Sequence, residues 1–205
     1  MKTRKRNTQK QIMKLKAIVR TYIEHIRPLA EDELNCFRDQ PTLISAVENA
    51  ALAINNEQKR YSHQRRLKKT TLEQAKMVLL KNIEMVEQAK TFDELFTLIG
   101  LLLEPIHGIG ELYIYDTTLR IGAKRGLLPA KVYLHRGTRI GAKNLKLGEI
   151  IKGGTKSIDI SSLPPEFQLL EPHEIEDVLC IFKDDLRDFQ GDIGSKEMIK
   201  RSRCN

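Results

Sequence analysis

Residues 95–121 read LFTLIGLLLEPIHGIGELYIYDTTLRI. An apolar helix opens on the capping-box pattern Thr91 to Glu94, runs to about Glu104, turns through Gly108-Ile109-Gly110 and is followed at once by a second helix. Glycine lets the main chain approach another group closely, and the first amides of the second helix have no intrahelical acceptor. The same three- and four-residue apolar spacing recurs on both sides of this stretch. The fold class expected is therefore mainly α, a compact helical domain with few or no strands.

Upstream, Ile12, Leu15, Val19, Tyr22 and Ile26 mark an amphipathic helix from Thr8 that Pro28 is expected to stop. A short helix over Glu31 to Arg38 follows, then a third from Leu43 to Ile54 that Asn55-Asn56 ends, then one from Thr71 to Lys90 with Leu72, Val78 or Leu79, Ile83 and Val86 inward. Between them, Lys59 to Lys69 concentrates charge with almost no apolar residue and reads as a loop or exposed helical turn. Downstream, residues 106–155 are rich in glycine, which fits short helices and tight turns, with Lys131 to Leu134 the one strand candidate. Pro164-Pro165 breaks the chain, and Glu171-Pro172-His173-Glu174 starts a last, acidic helix expected to reach about Phe189. The division expected is a basic helical region over 1–90, a core over 91–155, an acidic helix within 156–190 packing on that core, and a disordered tail over 191–205.

The chain has 205 residues, with 35 Lys+Arg against 27 Asp+Glu, a net charge of +8 and a pI near 9.4. The charge is segregated: residues 1–70 carry 16 basic and 7 acidic groups, 71–155 carry 12 and 9, and 156–205 carry 7 and 11. An anionic partner is favoured. No apolar run approaches the roughly 20 residues that span a bilayer, and the basic N-terminus lacks the apolar stretch of a secretory signal, so a cytoplasmic protein is expected. Cys36, Cys180 and Cys204 are widely separated and form no C-x-x-C pair. Plain reduced thiols are expected, with no metal site and no cofactor.

Nucleic acid is the anion that the middle of the chain suits. The 32 residues from Thr117 to Gly148 contain no acid, while Arg120, Lys124, Arg125, Lys131, Arg136, Arg139, Lys143 and Lys146 supply eight cations. A face of that kind beside a glycine turn would release counterions from a duplex and bind with steep salt dependence. The residues expected to hold backbone are Gly108, Ile109, Gly110, Arg120, Lys124, Arg125, Arg136, Arg139 and Lys143. Arg65 and Arg66, in Tyr61-Ser62-His63-Gln64-Arg65-Arg66, form a second candidate contact, with Tyr61 or His63 to stack on a base. Double-stranded DNA is the partner expected, and structured RNA the other candidate.

The apolar helix, G-I-G turn, second helix and the following Leu127 to Leu147 together resemble the helix-hairpin-helix core of the DNA glycosylase superfamily, over about residues 91–150. The resemblance implies a catalytic lysine two residues past the second hairpin glycine, where this chain has Leu112, and a catalytic aspartate near the start of the next segment, where it has His135. No carboxylate lies between Thr117 and Gly148 to replace that aspartate. The expectation is accordingly a glycosylase-like scaffold that docks on DNA without the family's chemistry. A rival reading is an enzyme acting on DNA through other residues, His63, His135, Tyr115 and Asp116 converging as an acid/base cluster. The bland alternative for Asp116 is an i+4 pair with Arg120. A further rival is an interaction subunit of a nucleic-acid-processing or defence complex, docking through the acidic C-terminal helix.

Overall fold

The computed structural model describes residues 2–145, 151 and 154–187, with side chains from residue 12 onward. The fold is mainly α. Its elements are α1 (Lys2–Thr21), α2 (Arg27–Arg38), α3 (Leu43–Ala51), α4 (Lys69–Lys81), α5 (Ile83–Gln88), α6 (Phe92–Leu103), α7 (Glu111–Arg125), α8 (Arg136–Asn144) and α9 (Pro172–Ile181), with two short strands, β1 (Val132–Tyr133) and β2 (Ser157–Ile158). The strands pair antiparallel, Val132 opposite Ile158. The expected tail over 191–205, the side chains of the first eleven residues, and Lys146 and Leu147 lie outside the described residues.

The chain forms two compact units that do not follow the order of the sequence: residues 1–29 with 130–205, and residues 30–129. Each has its own apolar core. In the first unit Leu15, Ile18, Val19, Tyr22 and Ile26 share a core with Phe167, Ile175, Val178, Leu179, Phe182 and Leu186. The amphipathic stripe of α1 therefore finds its partner near the far end of the chain. The acidic helix α9 packs on α8 and β1, but it ends at Ile181, short of the expected Phe189.

Pro28 does not end the N-terminal helix. After Thr21 the helix widens into a π-helical turn, Tyr22–Ile26, and α2 then starts with Pro28 in its first turn. A proline inside an α-helix lacks one N–H and clashes with the carbonyl four residues back, and a π-turn is a known way of relieving that conflict.

The second unit holds α3 to α7 around Leu34, Phe37, Val47, Leu72, Leu79, Val86, Leu95, Ile99, Leu103, Tyr113 and Ile121. The helix expected over 71–90 is two helices. Asn82, at φ −109 and ψ 24, breaks it and donates from its side-chain amide to the Val78 carbonyl at 2.8 Å. Thr91 caps α6 as the sequence suggests, its hydroxyl accepting from the Glu94 amide at 3.2 Å while the Glu94 carboxylate accepts from the Lys90 amide at 2.7 Å.

Candidate nucleic-acid interface

The glycine turn between α6 and α7 belongs to the second unit, and α6 packs on α7. The Ile106 amide donates to the Leu103 carbonyl and the Ile109 amide to the Ile106 carbonyl. Ile106 is buried and Ile109 half-buried, so the turn is pinned by its isoleucines while Gly108 and Gly110 stay exposed. Gly108 has φ +93, a conformation that side chains other than glycine's rarely adopt. A β-carbon there would sit 3.9 Å from the Thr71 hydroxyl, in the first turn of α4. At Gly110, the N-cap of α7, a β-carbon would meet nothing within 4 Å. The hairpin turn therefore lies against the start of α4.

The basic loop feeds directly into that helix. Ala53 and Gln58 take positive φ, an isolated bridge joins Ile54 to Arg60, and the Arg60 guanidinium donates to the Leu67 carbonyl at 2.9 Å. A 3-10 turn follows over Ser62–Gln64. Arg65, Arg66, Lys68 and Lys69 are all exposed. Neither α4 nor α7 has a side-chain hydrogen bond from its N-cap residue, and both present the positive end of the helix dipole. Glu111 places a carboxylate in the first turn of α7, whereas α4 has none, which makes the α4 end the better anion acceptor.

Behind the loop, part of the expected acid/base convergence is present. His63 Nε2 lies 2.8 Å from Asp116 Oδ2, and the Gln64 side-chain amide donates to the same oxygen at 2.6 Å. An ionised Asp116 accepts only, so His63 Nε2 is the donor in this pairing. Its Nδ1 is buried with no hydrogen-bond partner, as is the Tyr61 hydroxyl. Burial pushes the Tyr61 phenol up to about 12, against the opposing pull of Arg120. The enclosure of both groups removes them from reach of a base or ribose at the surface.

Arg120 is the largest correction to the expected contacts. It is 3% exposed, donates to Gln64 at 3.2 Å and to Glu33 at 3.3 Å, sits 3.9 Å from Asp116, and stacks over the Tyr61 ring at 3.9 Å. A guanidinium so enclosed cannot reach a phosphate. Lys124 donates to the carbonyls of Arg38, at 3.0 Å, and Gln40, closing the C-terminal end of α2. Arg125 does the same beyond α5, donating to Val86 and Ala89 at 2.6 and 2.9 Å. Tyr115 is buried and meets the Phe92 ring edge-on at 6.2 Å between centroids. These side chains serve the fold, because a helix end without a cap takes the nearest long cation.

The remaining expected residues belong to the first unit. His135 is the N-cap of α8; its Nδ1 accepts from the Gly137 amide at 3.1 Å and its Nε2 is hydrogen-bonded to Glu176. Arg136 and Lys143 are exposed and Arg139 half-buried. His135, Glu176 and Cys180 bring nitrogen, oxygen and sulfur within 4.8 Å of one another, a set that can ligate a cation. One feature counts against that use: Nδ1 accepts the Gly137 amide proton, which puts the ring hydrogen on Nε2, towards Glu176.

The acidic helix is also largely engaged within its own unit. Glu174 pairs with Arg27, Glu176 with His135, and Asp177 accepts from the Tyr22 hydroxyl at 2.8 Å. Sequence reading missed Glu33, Gln64, Glu176 and Arg27 as partners, since nothing local marks a residue whose counterpart lies far along the chain. Comparison of the chain with known families, with curated proteins and with solved structures finds no match. The fold is that of a mainly α-helical protein of two compact units, in which no described helix is long and apolar enough to cross a membrane.

Proposed function

We propose that the protein binds a nucleic-acid duplex by its backbone, through the second unit's glycine turn and the start of α4. The observation that carries this is the approach of Gly108 to Thr71, which brings the start of α4, with exposed Lys68 and Lys69 and no side-chain cap, to the exposed turn that opens α7; exposed Arg65 and Arg66 lie just before α4 in the chain. Backbone amides and flexible cations match phosphate oxygens without reading bases, so binding is expected to be steep in salt and weak in sequence preference. Double-stranded DNA is the first partner, as the hairpin resemblance implies, and duplex RNA the comparison. No glycosylase chemistry is proposed, because Leu112 is apolar and His135 has both ring nitrogens engaged.

The test is a salt series with labelled duplex DNA and, in parallel, duplex RNA. Wild type is compared with a variant carrying alanine at Arg65, Arg66, Lys68 and Lys69, and with Gly108→Ala, each first checked for native helicity. The slope of log affinity against log salt is expected to fall by about three to four in the loop variant. Failure of folded wild type to bind either duplex at low salt overturns the proposal.

A further inference from the structure

The contacts behind the basic loop suggest how its cations are held in place. Residues 59–69 carry few apolar anchors: Tyr61 is buried, Leu67 half-buried, and most of the rest faces solvent. Yet Tyr61, His63 and Gln64 are each met by a charged group of α7. Asp116 Oδ2 takes both His63 Nε2 and the Gln64 amide, at 2.8 and 2.6 Å. Arg120, one turn further along α7, holds the Gln64 carbonyl oxygen at 3.2 Å and covers the Tyr61 ring, while Glu33 neutralises it from α2. Gln64 is thus gripped at both ends of its amide by the same helix, immediately before the exposed Arg65 and Arg66.

We propose that Asp116 is a positioning residue that clamps the 59–69 loop onto α7 and so keeps Arg65, Arg66, Lys68 and Lys69 beside the glycine turn. The clamp itself stands on this geometry; its consequence for binding rests on the nucleic-acid reading above. A cation already fixed in place loses less freedom on meeting a phosphate than one on an unanchored loop, so the clamp acts on affinity through preorganisation. Hydrogen bonds to an ionised carboxylate are the strong class, which is why one aspartate can hold two successive side chains.

Trypsin reads the clamp directly, because it cuts after exposed Arg65, Arg66 and Lys68. In Asp116→Ala, cleavage in the loop under native conditions is expected to be about tenfold faster than in wild type, with helicity and thermal midpoint showing that the unit is folded. Asp116→Asn, which keeps a neutral acceptor for His63 and Gln64, is expected to restore part of the protection. Should Asp116→Ala not fold, Gln64→Ala combined with His63→Asn removes the same grip from the loop side. Duplex binding gives the second readout: Asp116→Ala should weaken binding by wild-type loop, and should weaken it no further once the four loop cations are alanine. Unchanged cleavage in a folded variant overturns the clamp. An equal loss of binding in both backgrounds overturns its action through the loop. If wild type binds no duplex, the nucleic-acid reading fails separately, and cleavage alone decides the clamp.

Discussion

Arg27 and Glu174 lie 147 residues apart and meet as a two-bonded pair, Nε to Oε1 at 2.5 Å and Nη2 to Oε2 at 2.7 Å. The carboxylate is nearly enclosed, the arginine about a third exposed, and the guanidinium also reaches the Leu169 carbonyl at 2.9 Å. Hydrogen bonding to Glu174 raises the arginine's affinity for its proton further.

This pair links the two ends of the first unit, so its removal is expected to cost stability. Arg27→Ala strands a buried carboxylate and should lower unfolding free energy by about 3 kcal/mol. Adding Glu174→Ala should recover part of that, because the stranded charge is gone. Urea unfolding of the two single variants and the double variant measures the coupling, and strictly additive losses would contradict a desolvated pair.

Gly141 of α8 faces α9 with no room for a side chain: a β-carbon would lie 2.0 Å from the Leu179 carbonyl oxygen. Backbone cannot move aside as a flexible side chain would. Gly141→Ala is expected to destabilise the first unit by about 3 kcal/mol, while Gly110→Ala, in open space at the N-cap of α7, should cost only about 1 kcal/mol. Thermal unfolding of the two variants would separate them, and equal midpoints would argue against the close approach of α8 and α9.

Tyr61 should titrate late. A phenol held at about 12 keeps its proton in the folded chain while an unfolded one loses it near 10. Between those values the folded state binds more protons, so stability is expected to fall as pH rises from about 10 towards 12. Ultraviolet titration of tyrosinate in wild type and Tyr61→Phe checks this, and loss of a step near the ordinary phenol value on substitution would overturn it.

Arg120 and Arg65 make opposite predictions although both are arginines of the second unit. Arg120→Ala should destabilise by about 3 kcal/mol, since Glu33 and Asp116 lose their shared buried cation, and should leave the salt slope of binding unchanged in protein that remains folded. Arg65→Ala should leave stability within about 0.5 kcal/mol and lower the slope by about one. A slope that falls with Arg120 instead would place phosphate where the structure has Tyr61 and Gln64.

Local pattern made much of the fold legible. The spacing of Leu15, Val19, Tyr22 and Ile26, the cap at Thr91 and the glycines at 108 and 110 each act within a few residues, where sequence neighbours are also neighbours in space. The exposed basic loop was legible for the same reason, as was the pairing of Asp116 with Arg120 at one helical turn. Helix boundaries were less so: a proline at 28 reads as a stop unless a π-turn precedes it, and Asn82 reads as helical until its side chain turns back on Val78.

What sequence could not give was the use to which each charge is put. The acid-free window from Thr117 to Gly148 is one run in the chain but is split between two compact units, and Arg120, Lys124 and Arg125 are withdrawn from it by Glu33 and by the open ends of α2 and α5. The sequence alone determined the helices, the charge segregation and the glycine turn, because these follow from short-range sterics and periodicity. Only the tertiary structure decided which cations face water, because that depends on whether a carboxylate or carbonyl from a distant segment reaches them first, and burial then makes the pairing obligatory.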